Sequence, residues 1–432
     1  MLRFTDSVAY CDFPRASLKY VWAHHPPGHG SPPWDAGANF WDPTLPNGGP
    51  GWASGTVSGS IDVGPYSGTS SIHLGAANPI WYRSAFMGTS EQFDFIVGAW
   101  IYPINIGGTK TFLLFQQNWQ DPNYGSVFGV QVRNDGKIIL NPQSNNNANE
   151  FPSLFDSPSP VPHWPQPGDP PGFGISNATI PINTAPPTPG SAKGWTHICI
   201  QVHFDVSLTQ GYCKLWVTGC LDLSGSGLDL QVGPNLVTQT WSSSDGSELC
   251  ISQFVIQDTS GSYNNSNVSQ FSQIQTIFPS SDVLTGWSGG YSEVDGNPGP
   301  GGTFNTLTTL ATPDNLFGFP NMATTPSIVG VSLNMCLEAS GQTVAGLYKV
   351  GLHSSVPTPS LAPLTADQWT RQGITEANPW TSAPWTVADV NGTAWGIRGI
   401  VGTGENLYQY FLEVLCQTGP AQCGGGSYSY GQ

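Results

Sequence analysis

Acidic residues are sparse in this 432-residue chain, and no two of them stand in the arrangement that glycoside hydrolysis requires. A retaining glycosidase holds its acid and its nucleophile about 5 to 5.5 Å apart. On one strand this requires alternating carboxylates in a pattern such as E-x-D-x-x-E. Asp94, Glu293 and Asp295 instead stand alone or in predicted loops. The sequence therefore predicts that the chain is not an enzyme of this kind, and we expect it to be non-enzymatic.

Nucleophilic catalysis is equally poorly supported. His197, Cys199 and His203 share one apolar run, but no Gly-x-Ser-x-Gly elbow accompanies them. The segment 24–29, His-His-Pro-Pro-Gly-His, has imidazoles that suit a transition metal, with a solvated turn as the alternative interpretation. The sequence thus singles out no catalytic residue.

Calcium is the one cofactor for which the sequence offers ligands. Loop Asp and Asn oxygens are typical calcium ligands, and Asp121, Asn123 and Asp135 lie in predicted loops. No loop is densely acidic. These three residues are therefore a weak calcium candidate, and no other cofactor is expected.

Tryptophan falls into two groups. Trp100, Trp195 and Trp216 lie within predicted strands, which indicates core positions. A second group lies in loops rich in Pro, Gly and Asn, where a flat amphipathic ring suits a sugar face or a subunit interface. This group, the predicted set of interface or glycan aromatics, is Trp34, Trp41, Trp52, Trp119 and Trp164.

The eight cysteines include no C-x-x-C pair, so a zinc ribbon is not predicted. Cys199, Cys213 and Cys250 lie in apolar runs, where a free thiol behaves as a small hydrophobe. The alternative is that one or more disulfides form after release from the cell. Cys416 and Cys423 are the best candidates for such a bond, within one chain or between subunits.

The composition of the chain limits the classes of partner that it can bind. Charged residues are 9% of the chain, against about 25% in ordinary proteins. The net charge is −16 with 12 basic residues, so nucleic acid is not an expected partner. No apolar run is long enough to span a membrane, and Arg3, Asp6 and Ser7 interrupt the position of a signal peptide. We expect no membrane partner and no export by a signal of its own.

Apolar runs with period-2 alternation recur along the chain and predict an all-β protein. In the first part the predicted strands are 93–102, 111–117, 127–133, 137–141, 196–204, 213–218 and 249–257. In the second part they are 328–337, 347–352, 394–401 and 408–415. Asn134-Asp135-Gly136 predicts a hairpin turn. Only two short helices are predicted, at 366–372 and 386–391. Closely spaced strands joined by turns favour antiparallel sandwiches over βαβ units.

This pattern predicts four regions. Residues 1–60 form an N-terminal strand and an extended Pro/Gly/Trp arm, and residues 61–258 form the first β-sandwich, with a Pro-rich insertion at 142–194. Residues 259–416 form a second, smaller β-sandwich module, and 417–432 a flexible tail. The arm at 23–52 and the insertion are long, poor in charge and rich in proline, so we expect a neighbouring subunit to order them.

Four motifs in the first sandwich resemble the laminin-G and concanavalin-like jelly-roll domains. Residues 93–101, FDFIVGAWI, resemble the strand written F-T-I-S-x-W-V. Residues 194–200, GWTHICI, resemble G-W-H-H-V-A-V, and 214–219, KLWVTG, resemble L-Y-V-D-G. Residues 251–258, ISQFVIQD, resemble the closing strand. The resemblance implies a concanavalin/laminin-G-like antiparallel jelly roll.

The continuation resembles a class of tailed-bacteriophage structural proteins. YSEVD at 291–295 and APWTVADVN at 383–391, followed by Trp395-Gly396-Ile397, are similar to that class's Y-x-x-V-D and A-x-W-T-V-A-E-V-N motifs. The resemblance implies a virion structural protein, a head decoration or fibre or a tail-associated component, assembled in the host cytoplasm and exposed on the particle surface. Other virion proteins and further copies of the chain are the expected partners. The alternative is a lectin-like receptor-binding module that contacts host surface polysaccharide.

Overall fold

The computed structural model divides the chain into two compact units. It describes residues 2–7, 20–23, 38–39, 59–66, 69–74, 80–82, 93–117, 126–142, 174–205, 210–228, 236–242, 246–259, 264, 272–295, 304–312, 314–322, 327–337, 343–350, 356–360, 370–378, 380–401, 404 and 406–417. In this part of the chain, no helix is long and apolar enough to cross a membrane.

Three short strands near the N-terminus belong to the second unit: β1 (Leu2–Asp6), β2 (Tyr20–Ala23) and β3 (Ala38–Asn39). The next twelve form the first unit, here called the jelly-roll unit. They are β4 (Gly59–Val63), β5 (Ser70–Leu74), β6 (Ile80–Tyr82), β7 (Phe93–Ile104), β8 (Thr109–Gln117), β9 (Ser126–Arg133), β10 (Ile138–Pro142), β11 (Thr196–Phe204), β12 (Gly211–Val217), β13 (Cys220–Leu228), β14 (Leu236–Ser242) and β15 (Glu248–Asp258).

The jelly-roll unit is an antiparallel two-sheet sandwich, as predicted. Seven of its strands pair in the order β13-β12-β11-β7-β15-β5-β4, and five pair in the order β10-β9-β8-β14-β6. All seven strands predicted for this part of the sequence are present, because alternating side chains place one row of apolar residues on each buried face. The predicted hairpin turn joins β9 to β10, with Gly136 at a φ of 80°.

The second unit contains the remaining strands. They are β16 (Ser272–Ile277), β17 (Ser281–Leu284), β18 (Asn305–Thr306), β19 (Asp314–Gly318), β20 (Ser327–Leu337), β21 (Thr343–Val350), β22 (Val356–Ser360), β23 (Thr370–Thr375), β24 (Ala377–Asn378), β25 (Ala383–Pro384), β26 (Thr393–Val401) and β27 (Asn406–Gln417). One sheet has the order β16-β27-β20-β23-β2-β3, with β18 also on β27, and a second has the order β17-β19-β26-β21-β22. The unit is therefore a second β-sandwich.

Helix α1 (Val387–Asn391) is the predicted short helix at the tryptophan motif. Thr386 caps it: its Oγ1 accepts a hydrogen bond from the Asp389 amide at 3.1 Å, and the Asp389 carboxylate accepts one from the Thr386 amide at 3.0 Å. This reciprocal capping box satisfies amides that the first helical turn leaves free. Trp385 beside it is buried in the core of the unit, as predicted. The other predicted helix, 366–372, is wrong from residue 370 onward, where strand β23 begins.

Parts of the predicted arm and insertion are ordered by their own chain. Within the arm, Ala23 ends strand β2, which pairs with β3 (Ala38–Asn39) and, in parallel, with β23. Within the insertion, Ile175 bridges to Ile139, and Asn183 bridges to Ile104. The expectation that a neighbouring subunit orders these segments is therefore wrong for residues 23, 38–39, 142 and 174–194. The rest of the arm and insertion lies outside the described residues.

The proposed disulfide between Cys416 and Cys423 is wrong, because Cys416 is a free thiol. It lies on β27 with its side chain fully buried in the hydrophobic core of the second unit. Cys423 is outside the described part of the chain. Cys220, at the start of β13, is disulfide-bonded. Cys199, Cys213 and Cys250 are buried free thiols, as the apolar runs predicted.

The buried thiols should resist alkylation in the folded protein. Burial raises the pKa of Cys213 and of Cys416 to about 12, so almost no reactive thiolate is present at pH 8. We expect iodoacetamide at pH 8 to leave both residues unmodified in the native chain and to modify both in 6 M guanidinium, as read by peptide mass spectrometry. Native labelling of either residue at the rate of a free peptide thiol would contradict this burial.

Candidate functional site

Strands β7, β11 and β12 present one face on which aromatic residues give way to polar ones. In register, Trp100 on β7 opposes His197 on β11, and Cys199 opposes Trp216 on β12. Further along, Gln201 opposes Lys214, and His203 opposes both Asp94 and Tyr212. Residues two apart on a strand share a face, so these side chains form four successive rows. The last two rows carry the polar residues.

We call Asp94, Gln201, His203, Asp205, Tyr212 and Thr259 the polar cluster. The Asp94 carboxylate is its centre: Oδ1 accepts from the Tyr212 hydroxyl at 2.6 Å and from Gln201 Nε2 at 3.1 Å. Its other oxygen, Oδ2, accepts from the Thr259 hydroxyl at 2.9 Å. Three donors thus fix one buried carboxylate, which is the condition under which a charge is tolerated away from water.

His203 lies between two carboxylates and against an aromatic ring. Its Nδ1 is 3.3 Å from Asp94 Oδ1, and its Nε2 is 3.6 Å from Asp205 Oδ2. Its ring stacks on Tyr212 with centroids 4.7 Å apart and planes 5° from parallel. The His203 side chain is 21% exposed, whereas that of Asp205 is 5% exposed. Of His203 and Asp205, His203 is therefore the side chain that a molecule in solution can reach.

Tyr212 is held as a hydrogen-bond donor. Burial, and then its hydrogen bond to Asp94, raise the pKa of the Tyr212 hydroxyl well above its ordinary value. The Lys214 ammonium lies 5.2 Å from the centroid of the same ring, within the range of a cation–π interaction. The ring therefore links a cation, an imidazole and a carboxylate on one sheet face.

The side chains at the other end of this face are buried and cannot be reached by a substrate. His197 is fully buried, and its ring meets Trp100 edge-on with centroids 5.4 Å apart. Burial lowers the pKa of His197 to about 3, so the imidazole is neutral. Cys199 is also fully buried. His197 and Cys199 therefore do not form an activated Cys–His pair.

The structure places the predicted residues as follows. Trp100, Trp195 and Trp216 are buried, as predicted. Trp34, Trp41, Trp52, Trp119 and Trp164 lie outside the described residues, as do Asp121 and Asn123.

Asp135 does not fit the role of a calcium ligand, because Arg133 binds both of its carboxylate oxygens. That hydrogen bonding lowers the pKa of Asp135, and the Lys137 amide donates to the same carboxylate at 3.1 Å. Within the described ranges, no group of three or more His, Cys, Asp or Glu residues is arranged to hold a metal.

In the sequence, Asp94 is a solitary carboxylate, and no local pattern predicts the polar cluster. Its members come from positions as far apart as 94 and 259, which only the sheet brings together. One signal was present: Gln201 and His203 are polar residues at alternate positions of an otherwise apolar strand.

Comparisons with known proteins identify no family. No family of known proteins matches the sequence, and no curated protein does. Among solved structures, the endo-β-1,4-glucuronan lyase of the fungus Trichoderma reesei is similar at 12% identity, covering 48% of this chain and 91% of that one, with a TM-score of 0.28.

Two further structures are similar in the same range. The conserved carbohydrate esterase of the Shiga toxin-encoding bacteriophage phi24B is 7% identical, covering 47% of this chain and 87% of that one, with a TM-score of 0.27. The carbohydrate recognition domain of Emp46p is 7% identical, covering 46% and 86%, with a TM-score of 0.25. Similarities this weak carry no argument about activity or ligand. The chain is an all-β protein with two β-sandwich units.

Proposed function

We propose that this chain is a non-enzymatic structural protein of a bacteriophage particle. In this proposal it is exposed on the particle surface, as a head decoration, a fibre or a tail-associated component. It binds other virion proteins and further copies of itself.

The observation that carries the proposal is that the motifs resembling jelly-roll domains in the first unit, and the motif resembling phage structural proteins in the second, lie on ordered elements. The motif at 93–101 lies on the central strand β7, and the motif at 251–258 lies on its neighbour β15. In the second unit, the A-P-W-T-V-A-D-V-N motif forms a buried tryptophan followed by the capped helix α1. The motifs thus specify the architecture that the resemblance implies.

The state of the reactive side chains supports a non-enzymatic role. The Asp94 carboxylate accepts three hydrogen bonds, and the raised pKa of Tyr212 keeps its hydroxyl protonated. The thiol of Cys213 has a raised pKa, and the imidazole of His197 is buried and neutral. A general base needs a pKa near the working pH and access to its substrate. These groups are instead suited to holding a fixed structure.

Assembly is the property that tests the proposal. Truncating Trp34 and Trp41 together to Ala should leave the melting temperature of the isolated chain nearly unchanged and reduce its incorporation into particles several-fold. The reason is that an interface tryptophan contributes about 2 kcal/mol or more at the centre of a contact. Incorporation is measured by quantitative mass spectrometry of particles purified from a lysate that contains the tagged variant.

Leu310→Ala is the matched control, since Leu310 is 43% exposed on the second unit. It should incorporate like the parent chain. If the parent chain is abundant in the lysate and absent from purified particles, the structural role is refuted. If the double variant unfolds by itself, Trp34 and Trp41 belong to the core and the assembly role of the arm is refuted.

A second candidate function is lectin-like contact with a host surface polysaccharide. The polar cluster favours it, because a partly exposed imidazole, a tyrosine, an amide and a carboxylate are the groups that recognise sugar hydroxyls and ring faces. A particle protein that touches the host in this way serves both functions at once.

A further inference from the structure

We propose that the polar cluster and the neighbouring Lys214 form a binding site for a carboxylate-bearing saccharide, that is, a glycan that contains uronic acid. This inference rests on the second candidate function and specifies its residues and its ligand class. The site lies where the last two rows of β7, β11 and β12 meet the solvent.

Lys214 provides the charge preference. Its side chain is half-buried, and its ammonium faces the Tyr212 ring without an ion pair to any described residue. Two described arginines differ from it in this respect: Arg133 and Arg398 each bind both oxygens of an aspartate, Asp135 and Asp314. A partly desolvated ammonium gains from a counter-charge, and an incoming carboxylate supplies one.

Gln201 provides a neutral contact beside this cation. It opposes Lys214 in register, so both side chains lie on the same face. Its Nε2 donates to Asp94 and to Tyr212, while its Oε1 accepts no hydrogen bond from a described residue. The amide is therefore oriented by two fixed partners, and its oxygen is available to a sugar hydroxyl.

The balance of charge selects a monoanion. Lys214 carries one positive charge, and the carboxylates of Asp94 and Asp205 lie 3.3 and 3.6 Å from the His203 ring that stacks on Tyr212. A phosphomonoester, which carries up to two negative charges, would meet these two carboxylates without further cations to offset them. One sugar carboxylate at Lys214, with neutral hydroxyls toward Gln201 and His203, matches the site. A neutral glycan would leave Lys214 without a counter-charge.

The test uses the full chain and two probes of equal length. These are a hexasaccharide that contains a single galacturonate unit and its methyl-esterified, neutral counterpart, with affinities measured by isothermal titration calorimetry. We expect the acidic hexamer to bind about tenfold more tightly than the neutral one, as one new charge-assisted contact would give. Lys214→Met should remove that tenfold preference, so that the two hexamers bind with equal affinity.

Two more variants make the result specific. Lys193→Met makes the same change of net charge at an exposed position of the same unit, and it should bind both hexamers like the parent. Gln201→Leu should weaken both by tenfold or more. Hydrogen exchange of each variant reports whether it is folded.

The outcomes separate the two proposals. If the parent chain binds neither hexamer, nor any other glycan on an array of host polysaccharides, the lectin-like function itself fails. If it binds glycans without a preference for carboxylates, or if Lys193→Met acts like Lys214→Met, the inferred ligand class is overturned while the lectin-like function stands. Unchanged binding by folded Gln201→Leu places the glycan elsewhere and overturns the site.

Discussion

Acidification from pH 7 to pH 4 should reduce the free energy of unfolding by about 3 kcal/mol through His197 alone. In the folded chain, burial lowers the pKa of His197 from 6.5 to about 3. In the unfolded chain the imidazole regains its ordinary pKa and binds a proton below about pH 6.5. The unfolded state therefore takes up more protons, and the stability present above pH 6.5 is lost progressively as the pH falls towards 3.

His197→Leu isolates this contribution from the carboxylates that titrate in the same range. The variant loses the edge-on contact with Trp100, so at pH 7.5 it should be less stable than the parent by about 1 kcal/mol. The difference should shrink and then reverse as the pH falls, because the variant has no imidazole to protonate. Urea denaturation at several pH values measures both curves.

Nuclear magnetic resonance gives a direct check on the same residue. The imidazole Cε1 proton of His197 should show no titration above about pH 4 in the folded protein. A midpoint near 6.5 for this resonance, or parallel stability curves for the parent and His197→Leu, would show that the side chain is solvated.

The parts of the fold that the sequence predicts well are those governed by local pattern. Alternating apolar residues predict strands β7, β11 and β15 to within two residues at each end, because half of each strand's side chains must face a buried layer. Thr386 and the asparagine and glycine after Val390 likewise predict the ends of helix α1, since capping depends on neighbouring residues.

The parts that it predicts poorly depend on pairing between distant segments. Strand β2 (Tyr20–Ala23) adds in parallel to β23 (Thr370–Thr375), about 350 residues later in the chain. Each strand is short, and neither has a periodicity that identifies its partner. The same reason explains why the predicted helix at 366–372 is wrong: no local signal shows that β20 pairs with the segment that begins at residue 370.

The candidate site was missed for a related reason. Asp94, His203 and Tyr212 become neighbours only through the register of three strands, and each of them alone is an ordinary polar residue. The disulfide expectation failed because proximity in sequence does not make two cysteines face each other. Cys416 points into the core instead.

Truncating Trp395 to Ala should destabilise the second unit by about 3 to 5 kcal/mol. Trp395 is fully buried on β26, where it opposes Phe317 of β19 and packs against Trp385 with ring centroids 5.3 Å apart. The described members of its core cluster all lie between residues 287 and 416. The loss should therefore be local: peptides from β19, β20 and β27 should exchange amide hydrogens faster, and peptides from β7 and β11 should not.

Leu310→Ala serves again as the matched control, because it removes an exposed side chain from the same unit. It should change stability by less than about 0.5 kcal/mol. Equal loss of protection in β7 and β19 in the Trp395→Ala variant would mean that the two cores unfold together. A cavity destabilises only the structure that unfolds with it. Loss of protection confined to the second unit would therefore mean that the core around its tryptophan motif is stabilised by its own packing.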